Sequence, residues 1–172
     1  MSRGRALSLV VALAAAVAVG LLASSAFATG SSTKNLRSLN QEIFVAVNRF
    51  RVAHGLTALK RSPGLDRAAH SHSVEMGRRG YFAHNSADGE AFWRRIERFF
   101  PYPNVGENLL WAAPTVTAAQ AMRLWIASPP HLENLETAKW REFGVSAVSV
   151  SLAGGVYGGQ RVTIVTTDFG VK

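Results

Sequence analysis

From residue 38 onward, apolar residues first recur at the spacing of a helix. The first such stripe begins at Leu39 and ends near Phe50, which predicts a helix over residues 39–53. Ser38 and Gln41 stand in the spacing of a capping box, a pattern typical of a helix start. The chain is therefore expected to open its folded part with an amphipathic helix.

Three more helices are predicted before residue 130. Ser62-Pro63 opens the second, because a hydroxyl residue followed by proline is typical of the first turn. His72 lies on the apolar face of this helix, where a hydrogen-bonded core histidine is more expected than a ligand. The other two patterns cover residues 89–99 and 115–127, and Pro129-Pro130 is expected to end the last helix.

The last third of the chain changes to a period of two. Residues 143–152 and 160–168 alternate apolar with small or polar positions, which predicts two antiparallel strands. The glycine-rich residues 153–159 between them are expected to form a flexible hairpin connection. Helices followed by a hairpin predict an α+β fold in which the helices cover at least one face of the sheet.

The N-terminus has the pattern of an export signal. Arg3 and Arg5 precede the uncharged residues 6–23, and Ala26-Phe27-Ala28 then forms a small-x-small motif. We therefore predict a signal peptide over residues 1–28 with cleavage after Ala28, which makes the protein secreted or extracytoplasmic. An uncleaved membrane anchor is the alternative, because 18 apolar residues reach the lower limit of a membrane span.

Composition and charge limit the number of domains and the classes of partner that we expect. Residues 29–37 are small and polar and predict a linker, which leaves one domain over residues 38–172. The net charge is +8, and removal of the signal leaves 17 − 11 = +6, spread over separate segments. We expect a monomer with no nucleic-acid partner and a solvated basic surface; a weak attraction to anionic envelope polymers or lipid headgroups is the alternative. The absence of cysteine excludes disulfides, thiolate metal sites and a cysteine nucleophile.

The candidates for binding or catalysis are three polar residues that stand between apolar segments: His84, Glu107 and His131. We predict that they lie in loops or at a helix end. Two imidazoles and one carboxylate are a sufficient set of ligands for a divalent cation such as Zn²⁺, with water in the fourth position. The same groups serve equally as acid and base around a substrate, or as hydrogen-bonded groups that fix two loops. The spacing alone leaves these alternatives open.

From residue 44 onward, six motifs follow one another in order: Val47-Asn48-x-x-Arg51, Leu65-x-x-Ala68-Ala69-x-x-His72, Tyr81-Phe82-x-His84, Gly106-Glu107-Asn108, Trp125-x-x-Ser128-Pro129-x-His131 and Phe143-Gly144-Val145. With these motifs the chain resembles the bacterial branch of the CAP superfamily, the SCP-domain proteins that include cysteine-rich secretory, antigen 5 and pathogenesis-related 1 proteins. The resemblance implies an α-β-α sandwich with an antiparallel sheet between helical layers.

The resemblance also implies a cleft with a tetrad of two histidines and two glutamates, which binds divalent cations in some members. His84, Glu107 and His131 match three of its positions, and Ser128 stands where the second glutamate is expected. The tetrad is thus incomplete, and loss of one anionic ligand should weaken cation binding. Glu133 is the nearby candidate to replace it.

Three functions remain open at this point. The first is a non-enzymatic binding module whose His/Glu cleft takes a small apolar, lipid-like or envelope-derived ligand, with or without a divalent metal. The second is a metal-assisted hydrolase of peptide or cell-wall bonds, in which Glu107 would activate water. The third is an envelope interaction protein with a vestigial cleft. A serine hydrolase built on Ser128 and His131 is not expected, because the nucleophile-elbow pattern is missing.

Overall fold

The computed structural model describes residues 31–172. The predicted signal peptide 1–28 and its cleavage site lie outside the described residues. Within residues 31–172, no helix combines the length and the apolar character that a bilayer crossing requires. Every strand, helix and core cluster discussed below belongs to this range, so a chain that starts at residue 29 contains all of them.

The described residues form an α+β domain, as predicted. Its helices are α1 (Arg37–Ala53), α2 (Pro63–Arg79), α3 (Phe92–Glu97), α4 (Ala118–Ile126) and α5 (Pro129–Glu136). Its strands are β1 (Thr33–Asn35), β2 (Lys60–Arg61), β3 (Asn104–Ala112), β4 (Glu142–Ala153) and β5 (Gln160–Val171).

One sheet organises the domain, with strand order β1-β4-β5-β3. The pairs β1–β4, β4–β5 and β3–β5 are antiparallel, and the two-residue β2 pairs with β4 in parallel. The two strands predicted from alternation, β4 and β5, form the central hairpin, and neither lies at an edge of the sheet. Strand β3 lies at the edge of the sheet, and this edge carries the candidate site.

Helices cover both faces of the sheet, as expected for an α-β-α sandwich. Helices α1, α4 and α5 pack on one face in a cluster that contains Ile43, Trp125 and Leu135. Helix α2 packs on the other face, where Met76 meets Ile164. Helix α3 joins α2 on this second face. The alternation along each central strand thus supplies apolar residues to two cores rather than to one.

The N-terminal part of the domain differs from the prediction in two respects. Residues 33–35 of the predicted linker form the edge strand β1, which pairs with β4. The predicted capping box is also wrong, because α1 begins at Arg37 and Ser38 donates instead to the Glu42 carboxylate within the first turn. The capping box of this domain lies at the start of α4.

Two elements were missed between residues 100 and 140. The segment around Glu107 is strand β3 rather than a loop, and Pro129-Pro130 begins helix α5 rather than only ending α4. Both prolines occupy the first turn, where a backbone N–H has no partner within the helix in any case. Helices α3 and α4 both begin three residues later than predicted. Helix α3 ends two residues earlier and α4 one residue earlier than predicted.

The connection between β4 and β5 is anchored rather than flexible. It contains a short 3₁₀ turn, Gly155–Tyr157, and the Tyr157 side chain is buried. A Cβ at Gly155 would lie 1.9 Å from the Gly80 carbonyl oxygen, so only glycine permits this close approach. Val156 N–H donates to the same oxygen at 2.9 Å. The hairpin is therefore fixed to the end of α2.

Candidate functional site

The segment that follows α2 carries His84 and is held by side chains from three other elements. Helix α2 ends at Gly80 in the left-handed conformation, which turns the chain away from the helix axis. Three backbone carbonyls of the segment then accept hydrogen bonds: Tyr81 from the Tyr157 hydroxyl at 2.7 Å, Ala83 from His72 Nε2 at 2.9 Å, and His84 from Arg95 Nη2 at 3.3 Å. His72 is thus the core histidine that was predicted, and it positions the loop.

Glu107 lies on β3 with its side chain directed towards α2 and α3 and closed off from solvent. Its Oε1 accepts from His84 Nδ1 at 2.9 Å and its Oε2 from Arg95 Nη2 at 2.5 Å. Burial alone would raise the pKa of Glu107, but the hydrogen bond from His84 and the charge of Arg95 together hold it below its ordinary value. Glu107 is therefore an ionised and fully engaged carboxylate.

This arrangement fixes the tautomer of His84. An ionised carboxylate only accepts hydrogen bonds, so Nδ1 of His84 must carry the proton that Glu107 receives. The other ring nitrogen, Nε2, then has a free lone pair in the neutral ring. The His84 side chain is 51% exposed, and its ring lies 6.0 Å from that of Phe92. His84 thus presents an oriented acceptor to solvent beside an aromatic wall.

His131 lies in the first turn of α5, on the other side of the β3 edge. The Asn108 amide donates to the His131 carbonyl at 2.9 Å, and Asn134 of the same helix donates to the Asn108 side chain at 2.8 Å. Burial and, second, the positive charge of His84 lower the pKa of His131. Both effects favour the neutral form of His131.

A second carboxyl group lies behind Glu107. Asp168 faces Glu107 directly across the β3–β5 pair and is completely buried. Burial, and then the Glu107 charge, raise the pKa of Asp168 well above its ordinary value, against a smaller opposite effect from Arg95. Neither Asp168 oxygen has a hydrogen-bond partner among the described residues. The two opposite shifts favour the ionised form of Glu107 and the protonated form of Asp168.

The structure brings only two of the three predicted metal ligands into direct contact. Within residues 31–172, no three histidine, aspartate or glutamate side chains are grouped closely enough to hold an ion. Glu107 contacts His84 directly, and both of its oxygens accept hydrogen bonds, so in this arrangement it orients the ring. Metal binding by His84, Glu107 and His131, and the alternative role of Glu107 as the base that activates water, stay predictions.

The two residues considered for the fourth tetrad position do not complete it. Ser128 is the N-cap of α5 and its hydroxyl makes no capping hydrogen bond. Glu133 is exposed on α5, two residues after His131. Residues two apart on a helix point in nearly opposite directions, so Glu133 does not share the face of His131.

Sequence reasoning missed Arg95 and Asp168, although the periodicity contained a signal for each. Arg95 follows Phe92 by three positions and precedes Phe99 by four, which puts it on the apolar face of α3. Asp168 continues the alternation of Ile164 along β5, which directs it inward. Both were passed over because charged residues are mostly exposed.

The family comparison agrees with this geometry. The model of the CAP family, described as the cysteine-rich secretory protein family, matches residues 44–165. The chain belongs to the CAP family. The resemblance deduced from the motifs is thereby confirmed, and the α-β-α arrangement is the one that it implied. Among proteins with a curated function, none matches this CAP chain.

Solved structures of bacterial proteins share the CAP fold. An extracellular SCP-domain protein from Bacillus anthracis is 27% identical, with a TM-score of 0.64, over 79% of this chain and 41% of that one. An outer surface protein from Borrelia burgdorferi is 14% identical, with a TM-score of 0.68, over 82% of this chain and 100% of that one.

A cysteine-rich secretory protein from Staphylococcus aureus is 16% identical, with a TM-score of 0.56, over 77% of this chain and 38% of that one. This CAP chain thus spans less than half of the Bacillus and Staphylococcus proteins. At these identities the Borrelia and Staphylococcus structures are informative about the fold alone.

Proposed function

We propose that this CAP protein is an extracytoplasmic, non-enzymatic binding module that contacts its ligand through His84. The observation that carries the proposal is the His84–Glu107 hydrogen bond of 2.9 Å, with Arg95 behind it. A ring held in one orientation loses little freedom on binding, which favours affinity. The export signal in the sequence, and neighbours described as extracellular or outer surface proteins, support the location.

The surroundings of His84 favour a small ligand that combines an apolar part with a hydrogen-bond donor. Phe92 lies beside the ring, and Phe82 of the same segment is exposed. His131 adds a second, predominantly neutral imidazole on the far side of the β3 edge. Fragments of the cell envelope that carry hydroxyl or amide donors next to methyl groups have this chemistry.

Hydrolysis is the second candidate, and the same dyad favours it with a different assignment of roles. The Glu107 side chain is closed off from water, whereas the His84 side chain is half exposed and its ring is oriented, as a general base would be. Among the described residues the dyad contacts no serine or threonine hydroxyl, so a hydrolase would have to activate water directly.

A panel of muropeptides tests the two candidates together. The imidazole proton resonances of His84 and His131 are followed by NMR during titration, and the mixtures are analysed by mass spectrometry for cleavage. We expect resonance shifts with a saturable profile, at least tenfold weaker binding in His84→Ala, and no cleavage. His54→Ala, which changes an exposed histidine at the end of α1, is the control. Cleavage abolished by His84→Ala overturns the non-enzymatic proposal, and absence of any shift overturns the ligand class.

The predicted divalent metal is tested separately with Zn²⁺. Two imidazoles supply half of a tetrahedral shell, so calorimetry of the protein of residues 29–172 is expected to show no submicromolar zinc site. Any weaker binding should be reduced by His84→Ala and His131→Ala and preserved in Glu107→Gln. Tight binding that depends on Glu107 would contradict the role assigned here to that carboxylate.

A further inference from the structure

The β4–β5 connection carries apolar side chains into solvent. We call residues 152–159 the hairpin tip. Leu152 is 52% exposed and Val156 is 59% exposed, although both flank buried positions, Ala153 and Tyr157. Neither apolar side chain contributes to the three core clusters. The tip therefore presents two aliphatic groups to the outside of the molecule from a connection of only eight residues.

Leu152 also has an unfavourable backbone conformation for a branched side chain. Its φ is +52°, and among residues 31–172 it is the one non-glycine residue with a positive φ. A branched side chain in this left-handed region costs about 1 kcal/mol. Glycine or asparagine would adopt the same backbone without that cost. An aliphatic side chain is thus held outward at a position where the fold itself favours a smaller residue.

The base of the tip is rigid. Val156 N–H donates to the Gly80 carbonyl at 2.9 Å, and Gly159 N–H donates to the Ala153 carbonyl at 2.7 Å. Tyr157 is buried and its ring packs edge-on against Trp111 at 5.2 Å. Because the base is fixed, insertion of the two aliphatic side chains into an apolar medium requires no ordering of the backbone.

Exposed arginines flank the points where the tip meets the rest of the domain. Arg78 and Arg79 immediately precede Gly80, to which the tip is hydrogen-bonded, and both are exposed. Arg161 is exposed on the strand that leaves the tip. Arg79 also faces Glu75, with a nitrogen-to-oxygen distance of 3.5 Å, but 57% of its side chain remains accessible. An apolar apex with arginines at its base fits a surface that is anionic outside and apolar inside.

The chain joins the domain beside this tip. Ser32 N–H donates to the Ser151 hydroxyl at 3.0 Å, one residue before Leu152. The uncharged residues 6–23 end nine positions before Ser32, and nine residues span at most about 30 Å. While that apolar segment is in a bilayer, during export or as a retained anchor, the tip is therefore tethered near the membrane surface.

From these observations we infer that the hairpin tip docks on the surface of an anionic lipid bilayer. Leu152 and Val156 enter the boundary between headgroups and acyl chains, and Arg78, Arg79 and Arg161 contact the anionic headgroups. The docking places α2 and the His84 segment close to the membrane. It is independent of what the His84 site binds.

Sedimentation with vesicles tests the docking. The protein of residues 29–172 is mixed with sucrose-loaded vesicles of phosphatidylglycerol and phosphatidylcholine, or of phosphatidylcholine alone. We expect partition into the anionic vesicles that weakens with added salt. Leu152→Gly should reduce partition about tenfold, and Arg78→Gln or Arg161→Gln about fivefold each. Leu152→Gly relieves the backbone strain, so its thermal unfolding midpoint should be no lower than that of the wild type.

Helix α4, on the opposite side of the sheet, offers matched controls. Leu124 is 52% exposed, as Leu152 is, and Arg123 beside it is also exposed. Leu124→Gly and Arg123→Gln should leave partition unchanged. Equal partition of the wild type and Leu152→Gly overturns the docking, and so does an equal loss in the α4 variants or equal binding to neutral vesicles.

A fluorescent label locates the contact directly. The chain has no cysteine, so Leu152→Cys and Leu124→Cys each accept a single environment-sensitive label. Anionic vesicles should shift the emission of the label at position 152 to the blue and leave that at position 124 unchanged. An unchanged emission at position 152 contradicts insertion of the tip.

Discussion

At the scale of single residues, the orientation of His84 depends on a carboxylate that is closed off from solvent. Glu107 gives one oxygen to His84 and the other to Arg95, and no part of its side chain is exposed. A buried charge of this kind is tolerated because a cation and a hydrogen-bond donor compensate it. Arg95 is consequently as important to the geometry of His84 as Glu107 is.

Substitution of Arg95 tests this dependence. Arg95→Met removes the cation and leaves Glu107 buried without its main partner, so we expect a loss of about 3–5 kcal/mol in the free energy of unfolding. Arg94→Met, a neighbouring exposed arginine, should change it by about 0.5 kcal/mol or less. Urea denaturation measures both. A second substitution, Glu107→Gln, should recover part of the loss in Arg95→Met, and equal losses in the single variants at 94 and 95 would contradict the buried role.

Asp168 gives the domain an unusual dependence on pH. Its pKa in the folded state is raised above the ordinary value of 3.8, so its contribution to stability is complete below that value and is lost as pH rises through the folded pKa. Asp168→Asn does not ionise, so its advantage over the wild type should grow with pH by up to about 1.4 kcal/mol per unit in this window. Urea denaturation at a series of pH values checks this, and parallel curves for the two proteins would refute it.

At the scale of elements, alternation and helical periodicity predicted α1, α2 and the β4–β5 hairpin close to their observed bounds. Strand β3 was missed because it is buried on both faces between Gly106 and Leu110, so its sequence does not alternate. Helix α5 was missed because Pro129-Pro130 is a stop signal for α4 and a start signal for α5. Helix α5 has only eight residues and a short apolar face, which gives periodicity little to detect.

The candidate site was predicted in part. The motifs brought His84, Glu107 and His131 to attention, and the contact between His84 and Glu107 exists. The different roles of these three residues could not be predicted from the sequence, because they depend on the contact between Arg95 of α3 and Glu107 of β3. Spacing along the chain contains no information on which of two oxygens is already occupied.

The close packing of the β4–β5 connection against the end of α2 can be tested by substitution of its glycines. Gly155→Ala places a Cβ 1.9 Å from the Gly80 oxygen in addition to the strain of a φ of +57°. Gly159→Ala has a similar φ of +75° but meets nothing within 4 Å. We expect Gly155→Ala to lose about 1–3 kcal/mol more than Gly159→Ala in urea denaturation. Faster hydrogen exchange at Val156 N–H should accompany the loss, and equal effects of the two substitutions would show that the hairpin is not packed on α2.

At the scale of the molecule, one sheet is common to the core clusters. Phe143 and Val145 of β4 belong to the cluster under α1, whereas Val148 and Val150 of the same strand belong to the cluster under α2. A strand cannot leave one cluster without disturbing the other, so the two helical layers are coupled through β4 and β5.

We therefore expect the domain of residues 31–172 to unfold in a single cooperative transition. Far-ultraviolet circular dichroism reports the helices and near-ultraviolet circular dichroism reports the packing of the tryptophans. The two signals should give the same urea midpoint and slope. Separate midpoints would mean that one helical layer detaches from the sheet before the other.

The support of His84 by distant parts of the chain has a consequence for timing. Tyr157 and Asp168 come from the last sixteen positions, yet they hold the segment and the acidic pair on which the His84 ring depends. A polypeptide that emerges N-terminus first, from the ribosome or through a membrane, presents residue 84 long before these partners arrive. The His84 ring is therefore held in this orientation only after residues 157–168 have been synthesised and have folded, which delays formation of the site relative to the appearance of residue 84.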